Sequence, residues 1–380
     1  MVHGSGGGLF VPYKSLGLVC NELPLVTRRM PKAKLTVVYT AVGRVVQQYN
    51  AESLRLISVS DPLPAPITAL AVDPRYVYAA YGGAVAALHL SRQVKYRYGS
   101  SDRESPPVRL LLPFGSHLIC VDEASRLRAS FLANPREIWD IEAEELHSEL
   151  PPEQAFSISA LCHPPTYLNK ILLGSRQGPL RLVNVASSKV IYSFEDFGSG
   201  VSCLEASPAV DVVAVGTDSG AIHLLNLVAN TCLFSLRQDW GPVKALAFRT
   251  DGEAILVSSG GAGNLAVFNL DERRLVGQMS SVHKARTVTG LAFILGEPIM
   301  LTNGGDNGLR NWIFDQPSGL ARQLVERNGH AAPVNCLLFH GSNGEMVLSG
   351  GEDGCIRSAS TWKDTKAANL GTGGSMSAAK

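Results

Sequence analysis

The stretch VNCLLF at 334–339 is one of four short apolar segments that recur in the second half of the chain. The other three are VSCLEA at 201–206, VKALAF at 243–248 and VTGLAF at 288–293. Each is followed by a second apolar run, a turn rich in glycine and aspartate, and a third run. Successive openings lie 42, 45 and 46 residues apart. A period of roughly 40–45 residues with several short strands per unit indicates a WD-repeat β-propeller blade.

The same opening recurs upstream as ITALAV at 67–72, VRLLLP at 108–113 and ISALCH at 158–163. A more degenerate unit at 25–60 makes eight candidates, of which seven have a clear opening. We therefore expect an all-β fold with a seven-bladed ring over 67–361 and an extra N-terminal blade-like unit that is left partly unpaired. The near-continuous apolar openings fit innermost strands that are buried on both faces between neighbouring blades.

The remaining segments lack the repeat and suggest three regions. We expect residues 1–24 to be an N-terminal tail and extended segment, 25–361 to be the propeller, and 362–380 to be a disordered tail or truncated linker. Within the propeller, the acidic run and double proline at 134–154 predict an exposed excursion between blades.

The composition of the chain argues against several classes of function. Hydrophobic residues make up 45% of the chain, charged residues 18%, and the net charge is +1, which argues against nucleic-acid binding through the whole surface. The sequence contains no run of 18 apolar residues, so it predicts no membrane-spanning helix. The glycine-rich N-terminus does not resemble a secretory signal. The seven cysteines form no CxxC pair, so we expect free thiols in a reducing compartment and no metal site.

Two polar residues flank the last opening in the places where WD repeats usually carry a structural pair. His330 precedes Val334, and Asp353 closes the following turn; in WD repeats such a pair ties the blade to a strand Ser or Thr and a Trp. His283 is a looser counterpart of His330. Asp218 and Asp306 lie in the matching turns one residue earlier than Asp353, so we expect turn formers that bond nearby backbone.

Glycines at the matched turns should adopt positive φ, which glycine allows most easily. They are Gly178, Gly220, Gly263, Gly308 and Gly354. The glycine-rich segments 259–264 and 302–308 are followed by a strand, whereas a phosphate-binding loop would lead into a helix. No nucleophile–base motif is present. We expect no catalytic residue, metal, cofactor or small-molecule substrate.

Two groups of side chains are candidate partner or RNA contacts. The basic cluster consists of Arg28, Arg29, Lys32 and Lys34. It fits a solvated loop, with phosphate contact as the alternative. Third-strand residues form the second group, Arg310, Trp312 and Arg357. They fit packing or pairing between blades, and a minority could reach a rim and act as binding anchors.

Several stretches are more specific than the fold. They are FVPYKSLGLVCNELP at 10–24, HPPTYLNKILLGS at 163–175, RQDWGPV at 237–243 and EPIMLTNGGDNGLRNWIFD at 297–315. They resemble the N-terminal half of the WD-repeat family known as U three protein twenty-one, or WD-repeat protein thirty-six in animals. Members of that family continue into a second propeller and a C-terminal helical domain, so the resemblance raises the expectation that this sequence covers the first part of the family's length.

The resemblance implies a non-enzymatic scaffold of the small-subunit processome in the nucleolus. Its expected partners are other WD-repeat subunits of the UTP-B subcomplex, the U3 small nucleolar RNP and nascent pre-rRNA, with direct RNA contact open. The alternative is a generic WD-repeat adaptor outside the nucleolus. Neither function requires a membrane.

Overall fold

The computed structural model describes residues 23–30, 35–89, 93–99, 105–115, 117–131, 138–141, 156–187, 189–316, 318–341, 344–361 and 368–370. Their strands form eight sheets, and each sheet contains four strands that are consecutive in the chain. All strand pairs are antiparallel. This arrangement of up-and-down sheets is the blade of a β-propeller.

The first four blades share the same order, from the innermost to the outermost strand. Blade 1 contains β1 (Val26–Met30), β2 (Leu35–Val42), β3 (Val45–Asn50) and β4 (Leu56–Val59). Blade 2 contains β5 (Ile67–Val72), β6 (Tyr76–Tyr81), β7 (Ala84–His89) and β8 (Gln93–Tyr98). Blade 3 contains β9 (Val108–Phe114), β10 (His117–Asp122), β11 (Leu127–Phe131) and β12 (Ile138–Ile141). Blade 4 contains β13 (Ile158–Cys162), β14 (Lys170–Ser175), β15 (Leu180–Asn184) and β16 (Lys189–Phe194).

The second four blades repeat this order. Blade 5 contains β17 (Val201–Ala206), β18 (Val212–Thr217), β19 (Ala221–Asn226) and β20 (Thr231–Arg237). Blade 6 contains β21 (Ala245–Phe248), β22 (Ile255–Ser259), β23 (Leu265–Asn269) and β24 (Arg274–Met279). Blade 7 contains β25 (Val288–Phe293), β26 (Ile299–Gly304), β27 (Gly308–Ile313) and β28 (Arg322–Asn328). Blade 8 contains β29 (Val334–His340), β30 (Met346–Gly351), β31 (Ile356–Ser360) and β32 (Ala368–Leu370).

Burial is greatest in the second strand of each blade rather than in the first. Strands such as β10 and β26 are buried along their whole length. The opening strands begin with a buried residue, but most of their other positions are only half-buried, as in β17 and β25. The expectation of inner strands buried on both faces is therefore wrong in detail, because an innermost strand borders the central channel and only the next strand outward is fully covered by neighbouring blades. The outer strands β8 and β16 alternate between exposed and covered positions.

A β-bulge follows the opening residue of five inner strands. In three of these blades the side chain of the second residue donates a hydrogen bond to the carbonyl of the next opening residue. The pairs are Thr68 with Val108 (2.5 Å), Ser159 with Val201 (2.5 Å) and Thr289 with Val334 (2.6 Å). The ring therefore contains a repeated hydrogen bond between blades.

Residues 25–60 contribute a complete blade, so the prediction of a seven-bladed ring with a partly unpaired extra unit is wrong. Blade 1 has the same four paired strands as the others, and its inner strand contacts the inner strands of blade 2 and blade 8. Leu25, Val38 and Tyr49 share a buried cluster with Leu348 and Ile356 of blade 8. The ring therefore has eight blades.

Glycine makes room for the opening residue at two blade junctions, and a glycine contacts the corresponding residue at a third. A Cβ on Gly174 would lie 2.6 Å from Val201 Cγ1, and a Cβ on Gly216 would lie 2.8 Å from Val243 Cγ1. At the equivalent place in blade 8, a Cβ on Gly350 would lie 3.5 Å from Leu25 Cδ1. Leu25 thus takes the position of an opening residue and closes the ring.

Two fourth strands lie in segments where the repeat is not visible in the sequence. β12 lies inside the acidic 134–154 segment, most of which is outside the described residues, and β32 lies inside 362–380, where a tail is expected. Both strands are short, and each completes a four-stranded blade.

Candidate functional site

The turn before blade 7 places His283 in a chain of four buried side chains. His283 Nδ1 lies 2.7 Å from Asp306 Oδ1 and 2.5 Å from the Arg310 guanidinium, and His283 Nε2 lies 2.8 Å from the Thr302 hydroxyl. Trp312 Nε1–H then donates to the Thr302 oxygen (3.0 Å). These residues come from the connection that enters the blade, β26, the β26–β27 turn and β27, so the chain fastens the connection to the sheet.

A buried cation lies beside His283 and Asp306 of this chain of side chains. The Arg310 guanidinium lies 2.7 Å from Asp306 Oδ2 and 3.0 Å from Glu326 Oε1. Burial would raise the pKa of Asp306, but hydrogen bonds from Arg310 and His283 outweigh it and lower the pKa to about 2. Burial lowers the pKa of His283, and nearby Arg310 lowers it further, although Asp306 opposes both. The histidine is therefore neutral and the carboxylate ionised at neutral pH.

Blade 8 has a shorter version of this arrangement. His330 Nδ1 lies 3.0 Å from both carboxylate oxygens of Asp353, and His330 Nε2 lies 2.9 Å from the Ser349 hydroxyl. Asp353 also accepts from the backbone N–H groups of Ala331 (2.9 Å) and Cys355 (3.0 Å). Strand register places Ala359 where blade 7 has Trp312. The pair thus joins the incoming connection to the turn and to β30 without the indole.

In the turn before blade 6, a glutamine side chain takes the place of the histidine. Gln238 lies five residues before Val243, as His283 lies five before Val288. Its Oε1 accepts from the Ser258 hydroxyl at 2.6 Å, and its Nε2 donates to the carbonyl of Gly241 at 3.0 Å. Ser258 occupies the same register position as Thr302. The sequence reasoning missed Gln238, although its spacing from the opening residue is a usable signal.

The two turn aspartates differ from each other. Asp306 accepts from the backbone of Gly308 (3.3 Å), as a turn former does, but it is also the partner of His283 and Arg310. Asp218 is exposed, and its carboxylate forms no hydrogen bond within the described part of the chain. Blade 5 therefore lacks the His–Asp pair that blades 7 and 8 share.

Gly354 has φ +70° in the β30–β31 turn, next to Asp353. Positive φ also occurs at Gly178, Gly220 and Gly263. In blade 7 the left-handed residue is Asn307 (φ +65°) rather than Gly308, because asparagine also tolerates that conformation. The prediction of a positive φ at Gly308 is therefore wrong by one residue.

The third-strand contact candidates lie inside the ring. Arg310 is 3% exposed and Trp312 is 7% exposed, and both are held by the blade 7 network. Arg310 is enclosed by His283, Asp306 and Glu326, and Trp312 packs in a cluster with residues of blades 6 and 7, so neither side chain reaches an exposed rim. Arg357 occupies the register position of Arg310 in blade 8, and its guanidinium lies beside Gly329.

The basic cluster is only partly described, since Lys32 and Lys34 lie outside the described residues. Arg28 stacks over the Tyr39 ring at 5.2 Å and donates to the carbonyl of Asp73 at 3.4 Å, so it is partly engaged by its own and the next blade. Arg29 is exposed. The structure therefore leaves Arg29 as the accessible cation of the two.

Three further expectations concern metals, thiols and membranes. Across the described ranges, no three His, Cys, Asp or Glu side chains are grouped as metal ligands would be. The six cysteines in these ranges are free thiols. In the part of the chain that the structure describes, no helix has the length and apolar character needed to cross a membrane.

A groove on the outer rim between blades 4 and 5 was not anticipated from the sequence. Its volume is about 490 Å³. The walls include Tyr192, Phe194, Glu195, Asp196, Phe197 and His223. We call it the blade 4–5 groove. The only sequence signal is the density of aromatic residues at 192–197, since the pairing with His223 depends on how the blades pack.

These features define a WD-repeat β-propeller whose blades contain buried hydrogen-bond networks with a structural role. The family model for the WDR36/Utp21 first β-propeller matches residues 38–315, and a WD domain, G-beta repeat model matches residues 322–358. The chain therefore belongs to the WDR36/Utp21 first β-propeller family.

Relatives of known name support the family over nearly the whole chain. The human protein named WD repeat-containing protein 36 is 38% identical over 97% of this chain. The Schizosaccharomyces pombe protein named U3 small nucleolar RNA-associated protein 21 homolog is 33% identical over 98%. The chain spans 40% of the length of each. A computationally designed protein, Ika8, shares the fold with a TM-score of 0.68 and 17% identity, covering 90% of this chain and 99% of its own.

Proposed function

We propose that this chain is a non-enzymatic scaffold in the U3-associated machinery that matures the small ribosomal subunit. The observation that carries the proposal is the identity of 33–38% over nearly the whole chain to relatives that include a U3 small nucleolar RNA-associated protein. The relatives extend well beyond the length of this chain, so the role proposed here is that of the ring.

The chemistry of the ring supports binding rather than catalysis. The polar clusters that could resemble an active site, around His283 and His330, are buried and occupied by hydrogen bonds between parts of the same blade. A neutral histidine that both donates and accepts inside the blade has no free nitrogen for proton transfer to a substrate. What the ring offers to other molecules is its surface.

The partners that fit this role are other WD-repeat subunits of the UTP-B subcomplex, the U3 small nucleolar RNP and pre-rRNA, and the corresponding location is the nucleolus. A tagged chain recovered from nuclear extract should bring down U3 RNA together with other processome subunits. Recovery of neither, from extract in which the full-length relative does bring down both, would contradict the proposal and favour an adaptor role elsewhere.

Direct RNA contact is a narrower part of the proposal and rests on the basic cluster. Arg28, Arg29, Lys32 and Lys34 would act through phosphate contacts, so affinity should fall steeply with salt. The test is ultraviolet crosslinking to RNA with all four residues reversed to glutamate. Loss of crosslinking with unchanged recovery of protein subunits is expected; crosslinking that persists undiminished would remove this cluster as the RNA contact.

A further inference from the structure

The blade 4–5 groove runs between the outer strand of blade 4 and the two outer strands of blade 5. β16 supplies Tyr192 and Phe194, while β19 and β20 supply His223 and Cys232. The Tyr192 hydroxyl lies 3.5 Å from the carbonyl of Asn230, at one end of the groove. Its volume of about 490 Å³ is large enough for more than one side chain.

Exposed apolar side chains lie close in sequence to residues that line the groove. Leu233 on β20 is 44% exposed, and Val228 in the β19–β20 turn is 65% exposed. A partner segment that extended past the groove over β20 would cover part of this apolar surface. Exposed apolar surface around a concave site is a feature of protein-interaction sites.

Four of the side chains that line the groove are aromatic. The Tyr192 and Phe194 rings meet edge to face, with centroids 4.8 Å apart. Phe197 stacks on the His223 ring at 4.4 Å and an interplanar angle of 29°. Flat ring faces attract cations, and they do so more strongly where water is partly excluded.

The charges of the groove have one sign. Glu195 and Asp196 are exposed, and among the described residues that line the groove none is Lys or Arg. Asp196 Oδ1 accepts from the backbone of Gly198 at 2.9 Å, which fixes the position of this carboxylate. Burial lowers the pKa of His223, so the imidazole is neutral at pH 7 and does not oppose a cation.

One buried polar atom in the groove is unsatisfied. His223 Nδ1 lies 2.8 Å from the Ser235 hydroxyl, while His223 Nε2 is buried and has no hydrogen-bond partner among the described residues. Because solvent does not reach Nε2, a molecule in the groove can meet His223 only through the rest of its side chain.

We propose that the blade 4–5 groove binds an extended segment of a protein partner and takes an arginine side chain of that segment against Phe197 and His223. A planar guanidinium can stack on an aromatic ring while its N–H groups reach the exposed carboxylate of Glu195 or Asp196, whereas an ammonium is a compact point charge. The two carboxylates repel nucleic-acid phosphates, so RNA is disfavoured here. The inference stands whether or not the proposed processome role holds.

The test is selection of random twelve-residue peptides on phage against the intact chain, followed by fluorescence anisotropy with the synthesised peptides. We expect the selected peptides to share an arginine flanked by apolar residues. Replacing that arginine with citrulline, which keeps the shape and removes the charge, should weaken binding at least tenfold. The double variant Glu195→Gln/Asp196→Asn should weaken it by a similar factor, and Phe197→Leu at least fivefold.

The next blade junction supplies a matched control. Asp239 and Trp240 are an acidic and an aromatic residue that follow blade 5 within one position of the places that Asp196 and Phe197 take after blade 4, but strand register places Ala266 where this junction has His223. Asp239→Asn should leave peptide binding unchanged. Peptides that lack a basic residue, binding that is insensitive to the three groove substitutions, or a selection that yields no binder would each overturn the proposal. Competition by a single-stranded RNA oligonucleotide for the groove would also overturn it.

Discussion

Leu25 packs against Gly350 where blade 1 meets blade 8, in the position that Val201 takes against Gly174 between blades 4 and 5. No strand is exchanged between the first and last blades among the described residues, since every sheet consists of four consecutive strands. The closing junction therefore depends on side-chain packing, and Leu25 is at its centre.

Replacing Leu25 with alanine should lower the free energy of unfolding by about 2 to 4 kcal/mol, because a buried leucine is lost and the junction can only partly collapse. Urea denaturation followed by tryptophan fluorescence measures the change. Leu56→Ala is the matched control, since this leucine is 45% exposed in the outer strand β4. Equal stability of the Leu25 variant and the wild type would show that blade 1 does not close the ring.

Replacing Gly216 with alanine should destabilise the junction between blades 5 and 6. The added Cβ would lie 2.6 Å from Cys203 Sγ and 2.8 Å from Val243 Cγ1, and overpacking of this kind costs about 1 to 3 kcal/mol. Gly261→Ala serves as the control, because nothing lies within 4 Å of the methyl group that alanine would add there. A Gly216 variant that unfolds at the same urea concentration as the Gly261 variant would contradict the close packing described here.

Stability should decline in mild acid because of the buried histidines. Since the pKa of folded His283 lies below its ordinary value of 6.5, the unfolded chain takes up a proton first as the pH falls below about 6.5. Protonation therefore favours the unfolded state, by up to about 1.4 kcal/mol per pH unit for each such histidine. The ionised carboxylate of Asp306 affects stability at lower pH. Its contribution to the free energy of unfolding is lost as the pH falls from 3.8 towards about 2.

The variant His283→Gln isolates one histidine from this pH dependence. Gln238 shows that an amide can bond the strand hydroxyl at the same place in blade 6 (2.6 Å), so the variant should fold. Urea denaturation at pH 5, 6 and 7 should show a shallower loss of stability than in the wild type. His89→Gln, on an exposed side chain at the end of β7, should follow the wild type. Parallel curves for all three proteins would refute a neutral buried His283.

Replacing Arg310 with methionine tests whether it is a structural cation or a partner contact. Removal of the guanidinium leaves the carboxylate of Asp306 buried without its ion pair, and breaking such a pair costs about 3 kcal/mol or more. Arg274→Met, which breaks an exposed pair with Glu272, should leave stability unchanged. Lost partner binding by an Arg310 variant of wild-type stability would restore the contact role.

The repeat spacing was enough to predict the propeller because seven opening strands carry the same short apolar pattern. The pattern did not predict blade 1 as a complete blade, because its inner strand, VTRRM, contains Arg28 and Arg29 in place of the apolar run. Arg28 is accommodated there by the face of the Tyr39 ring and the carbonyl of Asp73. Such compensation comes from neighbouring strands, and a linear pattern does not reveal it.

The side-chain environments were harder to predict than the strands. The sequence places Arg310 on a third strand, but whether that arginine is buried depends on Asp306 and Glu326 being close enough to pair with it. The stacking of Phe197 on His223 likewise joins residues from two blades. Both relationships arise only when the sheets pack, because residues distant in the chain must first be brought side by side.

The contiguity of each blade also bears on how the ring assembles. Seven of the eight junctions join sheets that are neighbours in the chain, whereas Leu25 and Gly350 are separated by roughly 325 residues. Loop-closure entropy rises by only about 0.6 kcal/mol for each doubling of the loop, so the long-range junction costs about 2 kcal/mol more than a local one. The thermodynamic penalty is therefore small, but we expect the distant contact to form later than the local ones because its loop is much longer. Until then the flanks of blades 1 and 8 present apolar surface to the solvent and to other nascent chains.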